Sequence, residues 1–474
     1  RIYNMFDSKI SINNLGPIEK GTINLKNLTV FVGQNNTGKT YLLSCLYFFQ
    51  SNDFKKILSD IIKNSINEYN CTSKSFQLKE AQNILENIFQ KISEIDVLES
   101  MNFNANCESQ SSFKFSPPKL KKDDIYLVSD FFTDNSNSFV KNLLSILLND
   151  KKGKDFLAML NIPSSGTIKK EINFTNFTSF LTKIFGLKSS YEIFLKTIIF
   201  KFFNLSLEEK IKASYLFPVE RAGVNKFFYE AISKLNDTNL ALKSIIEFKL
   251  KLNNDTLINK FDKSFFYDIA RKLETELFKG GKIWNEKISE NNFQIVFFNK
   301  YDKKFTLDNF SSSINELSIF ILYLKYYAKE GDVIFIDEPE ISLHPDSQRI
   351  LVRYLAELSK AGLKFVIITH SDYIVKELNN LICITKLISD NKNILNHYYN
   401  EKNALDYSMA TVYSIYEDKD KIIVKNADEG EYGFEEKLFT RAINNISQDS
   451  SQIFSLLEDS FNDKININLE DLYE

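Results

Sequence analysis

The sequence predicts an α/β fold, a mixed sheet with flanking helices that is interrupted by a mainly helical insertion. Three observations predict it. Leu28-Thr29-Val30-Phe31-Val32 is a short apolar, partly β-branched run; the loop Gly33-Gln34-Asn35-Asn36-Thr37-Gly38-Lys39-Thr40 follows; and Tyr41 to Gln50 is an apolar stretch without Gly or Pro, so strand, loop and helix come in order. Val333-Ile334-Phe335-Ile336 and Phe365-Val366-Ile367-Ile368 are continuous apolar runs ending in polar residues, the pattern of parallel strands buried on both faces. From Ser51 to about Lys212 the composition shifts to Lys, Asn, Ser and Leu/Ile/Phe, with apolar residues at helical spacing.

At 474 residues the chain exceeds one compact core, and two or three structural units are expected. We divide it into 1–50, carrying the glycine loop; the helical insertion 51–212; 213–387, where the sheet resumes; and a hairpin and helical tail, 388–474. Hydrophobic residues at 43% and charged residues at 26% describe a soluble globular chain, and no apolar stretch approaches the length of a membrane helix. No basic segment followed by an apolar one stands at the start, which opens on Arg1, so a cytoplasmic location is expected. A formal net charge of −3 exerts no global pull on nucleic acid, and any DNA contact would need a local Lys patch. Cys45, Cys71, Cys107 and Cys383 form no C-x-x-C pair; free thiols and no zinc site are expected.

Taken in order, Lys9-Ile10-Ser11-Ile12 and Gly21-Thr22-Ile23-Asn24-Leu25 read as antiparallel strands, with turn signals at Asn13-Asn14 and Gly16-Pro17. Within the insertion, Ile57, Ile61, Ile62 and Ile66, and later Phe139, Leu143, Leu144 and Leu147, carry helical spacing; Glu108 to Lys122, Ser-rich and holding Pro117-Pro118, reads as the most loop-like stretch. Ser214 to Gly223 reads as a strand ending in a polar turn, followed by helical patterns from Phe227 to about Phe278. Gln294 to Phe298 and Phe305 to Leu307 read as two strands joined by a turn. In the tail, Val412 to Tyr416 and Ile422 to Val424 flank Glu417 to Lys421, a hairpin with a solvated tip.

The loop from Gly33 to Thr40 meets the phosphate-loop pattern G-x-x-x-x-G-K-[ST] at every specified position. Polyphosphate needs closely spaced backbone N–H donors, here those of Gly33, Asn35, Asn36, Thr37 and Gly38, and the following helix aims its positive end at the anion. Lys39 would reach the β- and γ-phosphates, and Thr40 would ligate Mg²⁺. In Asp332-Val333-Ile334-Phe335-Ile336-Asp337-Glu338-Pro339 the strand end sets Asp337 to hold Mg²⁺ and Glu338 at the attacking water, with an ordinary Asp–Glu turn as the alternative. Ser311-Ser312-Ser313 precede an apolar helix, a pattern that a simple N-cap also explains. Phe365 to Ser371 is a strand ending in His370, and of the 3 histidines His344 lies just after the acidic pair.

In this order the motifs resemble the ABC-type ATPases of the SMC/RecF/OLD class. Asp337-Glu338-Pro339-Glu340-Ile341-Ser342-Leu343-His344-Pro345 is similar to the D-E-P-E-x-x-L-H-P stretch of OLD- and RecF-like ATP-binding proteins, and the resemblance covers about residues 9–50 and 212–385. It implies an ABC-type P-loop ATPase head, with ATP and Mg²⁺ as cofactors, that closes face to face with a second copy. Ser311, Ser312 and Ser313 would then contact the γ-phosphate bound by the other copy, His370 would be the switch histidine, and Ser342 to His344 would lie at the dimer seam. The signature departs from the family in having Ser313 where Gly is frequent and Ile314 where Gln or Glu is common. Glu220-Arg221 stands about where the glutamine loop is expected; in a chain so poor in Arg, Arg221 reads as a phosphate or subunit contact, with a surface ion pair as the alternative.

The tail shows none of the separated acidic clusters that a Toprim nuclease needs. A complete ATPase set without a second catalytic domain leads to the expectation of a slow or partner-stimulated ATPase that assembles as a homodimer or higher oligomer on ATP. It would regulate a separately encoded effector such as a nuclease or toxin, as do the ATPase subunits of the Septu and PARIS defence systems that it resembles. A RecF-like DNA-repair clamp and a slowly hydrolysing scaffold are the alternatives, and no membrane partner is expected.

Overall fold

Every residue from Leu28 to Gly33 is buried, and the sheet is built outward from this strand. The computed structural model describes residues 9–68, 112–115, 213–228, 239–254, 264–289, 292–390 and 401–470, with positions 6, 86–88, 90–92, 94, 232 and 399 besides. The chain begins β1 (Lys9–Leu15), β2 (Ile18–Asn24), β3 (Leu28–Gly33), α1 (Lys39–Phe48), α2 (Asn52–Glu68) and β4 (Ser112–Phe115). From residue 214 come β5 (Ser214–Phe217), α3 (Arg221–Lys226), α4 (Leu240–Asn254), α5 (Phe265–Leu277), β6 (Lys282–Ser289), β7 (Asn292–Phe298) and β8 (Lys304–Thr306). Next are α6 (Ser312–Tyr326), β9 (Val333–Asp337), α7 (Pro345–Lys360), β10 (Lys364–Thr369) and α8 (Asp372–Ser389). The chain continues with β11 (Ala410–Asp418), β12 (Lys421–Asn426), the hairpin β13 (Asp428–Gly430) and β14 (Gly433–Glu435), and α9 (Lys437–Glu470).

A nine-stranded mixed sheet runs β4-β1-β2-β12-β11-β3-β10-β9-β5. From β11 to β5 all neighbours are parallel, whereas β1 pairs antiparallel with both β2 and β4. This is the α/β class the sequence predicts. Both faces of the parallel part are covered, which is why its strands read as unbroken apolar runs. Leu28, Val30 and Val32 join Ile334, Ile336, Phe365 and Ile367 in a core with α5, α6, α7 and α8. Phe31, Phe335, Val366 and Ile368 face the opposite core, with Leu42, Leu43 and Leu46 of α1. A second, antiparallel sheet β6-β7-β8 packs beside α5 and α6. Its anchor is the buried ion pair Lys325–Glu274 at 2.7 Å, which also takes the Ile283 N–H on Glu274 and gives a Lys325 bond to the Ile283 carbonyl.

Two local readings are corrected. Asn13 and Asn14 lie inside β1, Asn14 with a φ of +52°, and the chain reverses at Gly16-Pro17. Part of the loop-like stretch Glu108 to Lys122 is β4, whose Phe113 pairs with Ile12 on the edge of the sheet. The tail hairpin is formed as expected, with Lys419 and Asp420 both at positive φ, but it belongs to the main sheet: β11 lies directly against β3. Phe31 and Tyr413 stack across that pair with ring centroids 5.3 Å apart. The helical pattern Phe139 to Leu147 lies outside the described residues.

Candidate active site

The phosphate loop joins the end of β3 to α1, and two of its glycines answer to close contacts. A Cβ on Gly33 would stand 2.4 Å from the Ile415 carbonyl oxygen of β11, and one on Gly38, whose φ is +85°, would stand 2.7 Å from Pro17 Cγ. Gln34, Asn35 and Asn36 are exposed, Asn36 at a φ of +61°. Thr37 Oγ1 donates to the Gln34 carbonyl at 2.9 Å. Lys39 is buried and folds over the loop, donating to the same carbonyl at 2.5 Å and standing 3.5 Å from Thr37 Oγ1. Burial lowers the pKa of its ammonium, while the carboxylates of Glu338 and Asp337 act in the opposite direction. Lys39 is thus a sparsely hydrated cation held at the mouth of an N–H cradle, as polyphosphate binding requires.

The strands bring distant carboxylates to this loop. β9 ends on Asp337, and Thr40 Oγ1 donates to Asp337 Oδ2 at 3.0 Å across 297 positions of sequence. Asp337 Oδ1 is buried and has no hydrogen-bond partner among the described residues. Burial pushes the pKa of Asp337 up to about 6, with the Thr40 bond opposing and the Glu338 charge adding to the rise. A hydroxyl and a carboxylate with one oxygen unengaged fit Mg²⁺, a hard cation that takes one or two protein ligands and completes its shell with phosphate oxygens and water. No cluster of three or more His, Cys, Asp or Glu side chains suited to a metal occurs among the described residues.

Glu338 adopts a φ of +47°, a left-handed conformation unusual outside glycine, and its N–H donates to the Ile368 carbonyl at 3.0 Å. The turn aims its carboxylate at His370, with Oε1 at 3.4 Å from Nε2. Burial, and secondly Lys39, lower the pKa of His370, partly offset by Glu338. The histidine backbone is itself fixed: its N–H donates to Glu340 Oε1 at 2.6 Å, and the Thr369 hydroxyl donates to the same oxygen at 2.8 Å. Glu340 Oε2 is a buried acceptor without a partner among the described residues, and burial raises the pKa of that carboxyl.

Lys39, Thr40, Asp337, Glu338 and His370 therefore converge, whereas the signature serines stand apart. Ser311 caps α6, accepting the Ile314 N–H at 3.4 Å, and its hydroxyl lies 3.1 Å from that of Ser313. Ser311 and Ser312 are exposed. His344 caps α7 by accepting the Asp346 N–H at 3.3 Å and is otherwise exposed, as is Glu220. Arg221 requires a correction. Expected as a phosphate or subunit contact, or as half of a surface ion pair, it is only 2% exposed. Its guanidinium donates to the carbonyls of Pro218, Asp337 and Glu338 at 3.0, 2.7 and 3.0 Å, and its Nε donates to the Glu316 carbonyl at 3.2 Å and forms an ion pair with Glu316 Oε2 at 3.0 Å. One buried cation thus ties the start of α6 to the end of β9. Sequence reasoning assigned no role to Glu316 or Glu340. Glu340 at least stood inside the quoted acidic string, whereas the function of Glu316 depends on a contact 95 positions away.

A family model described as an AAA ATPase domain matches residues 5–375. The chain belongs to this ATPase family. Its members bind ATP, typically with Mg²⁺, and the head of this ATPase is built on the mixed α/β sheet described above. Among solved structures, an Smc head bound to the C-terminal winged-helix domain of ScpA is 10% identical, with 88% of this chain and 96% of that one covered and a TM-score of 0.34. The SMC head domain from Thermotoga maritima is 11% identical, with 89% and 98% covered and a TM-score of 0.31. An Smc head with an extended coiled coil from Pyrococcus furiosus, bound to the C-terminal domain of ScpA, is 11% identical, with 93% and 98% covered and a TM-score of 0.32. A comparison with curated proteins finds no match. No helix of the ATPase among the described residues is long and apolar enough to cross a membrane.

Proposed function

We propose that this ATPase hydrolyses ATP between two heads closed face to face, and that the cycle controls a separately encoded effector, as in prokaryotic antiviral defence. Residues 1–50 and 213–387, together with β11 and β12 of the tail, supply the head. The observation that carries the reading is the division of the site. Lys39, Thr40, Asp337, Glu338 and His370 gather on one side, while the exposed serine cap of α6 bonds only within its own turn among the described residues. A helix N-terminus with hydroxyls at its tip suits a γ-phosphate presented by a second copy.

In this reading the loop amides and Lys39 bind the β- and γ-phosphates, and Thr40 and Asp337 hold Mg²⁺, which neutralises charge on the phosphate oxygens. Glu338 accepts the proton of the attacking water, and His370 holds the Glu338 carboxylate and senses the γ-phosphate. Because the serines come from the other copy, turnover waits for closure and is slow in an isolated head. The solution mass of Glu338→Gln, measured with and without ATP and Mg²⁺, tests this. The expected result is an ATP-dependent rise in mass. A mass indifferent to nucleotide overturns face-to-face closure, and DNA cleavage by the purified chain alone overturns the division of labour with an effector.

A further inference from the structure

Helix α9 is 34 residues long, about 50 Å at 1.5 Å per residue. Among the described residues, the hydrogen bonds that fasten it to the head lie at its first turn, and Arg441, Asn444, Asn445 and Gln448 line a cleft beside α8. Glu436 accepts the N–H groups of Leu438 and Phe439 at 2.9 and 2.8 Å and a bond from Ser414, and Phe439 packs on the core. From Arg441 to Glu458 every residue is exposed except the half-buried Ser450. Yet this stretch is not polar on all sides. Ile443, Ile446, Ile453, Phe454 and Leu457 are 44%, 66%, 55%, 63% and 49% exposed, and at 100° per residue they fall on one stripe that continues the Phe439 face beyond the head.

Two features of the stripe identify what covers it. Positions 443, 446, 450, 453 and 457 alternate steps of three and four, the seam spacing of paired helices. Charge is also segregated along the helix: Lys437 and Arg441 are the only charged residues before Asp449, whereas the sequence from there to Glu470 holds Asp449, Glu458, Asp459, Asp463 and Glu470 against one Lys464. Aligned in parallel, two copies would set Arg441 beside Arg441 and acid beside acid. Aligned antiparallel about Ser450, they bring Ile443 to Leu457, Ile446 to Phe454, and Arg441 alongside Glu458, with the small serine at the crossing. Such a contact is self-complementary and closes at two chains.

We propose that α9 pairs antiparallel with α9 of a second copy, forming a nucleotide-independent interface separate from the ATP site. Heads joined in this way meet at a raised effective concentration, so face-to-face closure would not depend on chance encounter.

The test is the sedimentation mass of the full chain at tens of micromolar without nucleotide and with chelator, in wild type and in Lys39→Ala. Both are expected to be dimers, and Ile446→Asp/Ile453→Asp is expected to be monomeric with unchanged circular dichroism. A short bis-maleimide should join Ser450→Cys chains above the wild-type background and leave Ile443→Cys chains at that background. A monomeric wild type, a mass unaffected by the two aspartates, an open-ended aggregate, or equal cross-linking of the two cysteine variants each overturns the proposal. The absence of nucleotide keeps this outcome separate from that of the ATP-closure reading.

Discussion

Arg221 Nη2 donates to the carbonyl oxygen of Glu338 at 3.0 Å, so the residue proposed to activate water has its strained backbone held by a cation 117 positions earlier in sequence. A second nitrogen of the same group holds the Asp337 carbonyl. Only a planar fork satisfies both at once, which an ammonium does not. Arg221→Lys is expected to leave ATP affinity nearly unchanged and to lower kcat by on the order of 100-fold, the cost of a misplaced catalytic group. Arg221→Ala also strands the buried Glu316 carboxylate and should destabilise the head by about 3–5 kcal/mol. Nucleotide titration, turnover assays and thermal melts of both variants check this; wild-type turnover in Arg221→Lys would show that the Glu338 turn holds itself.

Lys39 folds over the loop it serves, so its removal takes away the only cation with a described contact there. Lys39→Ala should abolish ATP binding, measured by calorimetry, without lowering the melting temperature of the nucleotide-free protein. Unchanged affinity would refute the loop assignment.

Glu340 has no expected contact with nucleotide, yet one of its oxygens receives both the His370 N–H and the Thr369 hydroxyl. Glu340→Ala frees His370, the proposed switch, from its mount and should reduce turnover by about tenfold or more, with ATP affinity retained. Glu340→Gln keeps an acceptor oxygen and should recover part of the loss. Equal activity in all three proteins would remove His370 from the mechanism.

Lys249 is buried, donating to the Asn225 carbonyl at 2.5 Å and to its side-chain oxygen at 2.7 Å, and burial lowers its pKa from 10.5 to about 7. Between pH 7 and 10 the unfolded chain therefore binds more protons at this site than the folded one. Stability contributed here rises with pH across that window, and below pH 7 the cost of burying the charge is fully present. The melting temperature of wild type should climb from pH 7 to 9 relative to that of Lys249→Met. Parallel profiles would place the ammonium in contact with water.

What the sequence disclosed, and what it hid, follows the range of the interactions. The phosphate loop, β3, β9 and β10 were legible because a strand covered on both faces writes its burial into consecutive residues. The convergence of Thr40, Asp337, Glu338 and His370 could be anticipated because each ends a strand or opens a helix of that sheet. Arg221 was misread because a scarce arginine after a strand looks alike whether it faces solvent or four carbonyls. The tail hairpin was visible as a hairpin, but nothing local in Val412 to Tyr416 names β3 as its neighbour. The requirement for Gly33 was written in motif form, while its steric cause, the Ile415 carbonyl, lay in that same tail.

The place of β11 beside β3 has a consequence for how the protein is made. Asn24 and Tyr413, which exchange two hydrogen bonds, are 389 positions apart. As the chain leaves the ribosome, the strand that carries the phosphate loop emerges long before the strand that seals its flank. Pairing across such a separation must pay the full cost of closing the intervening chain, so it is slow and late. The sheet around the loop is completed only after β11 has emerged, and a chain interrupted before that strand lacks a finished nucleotide site.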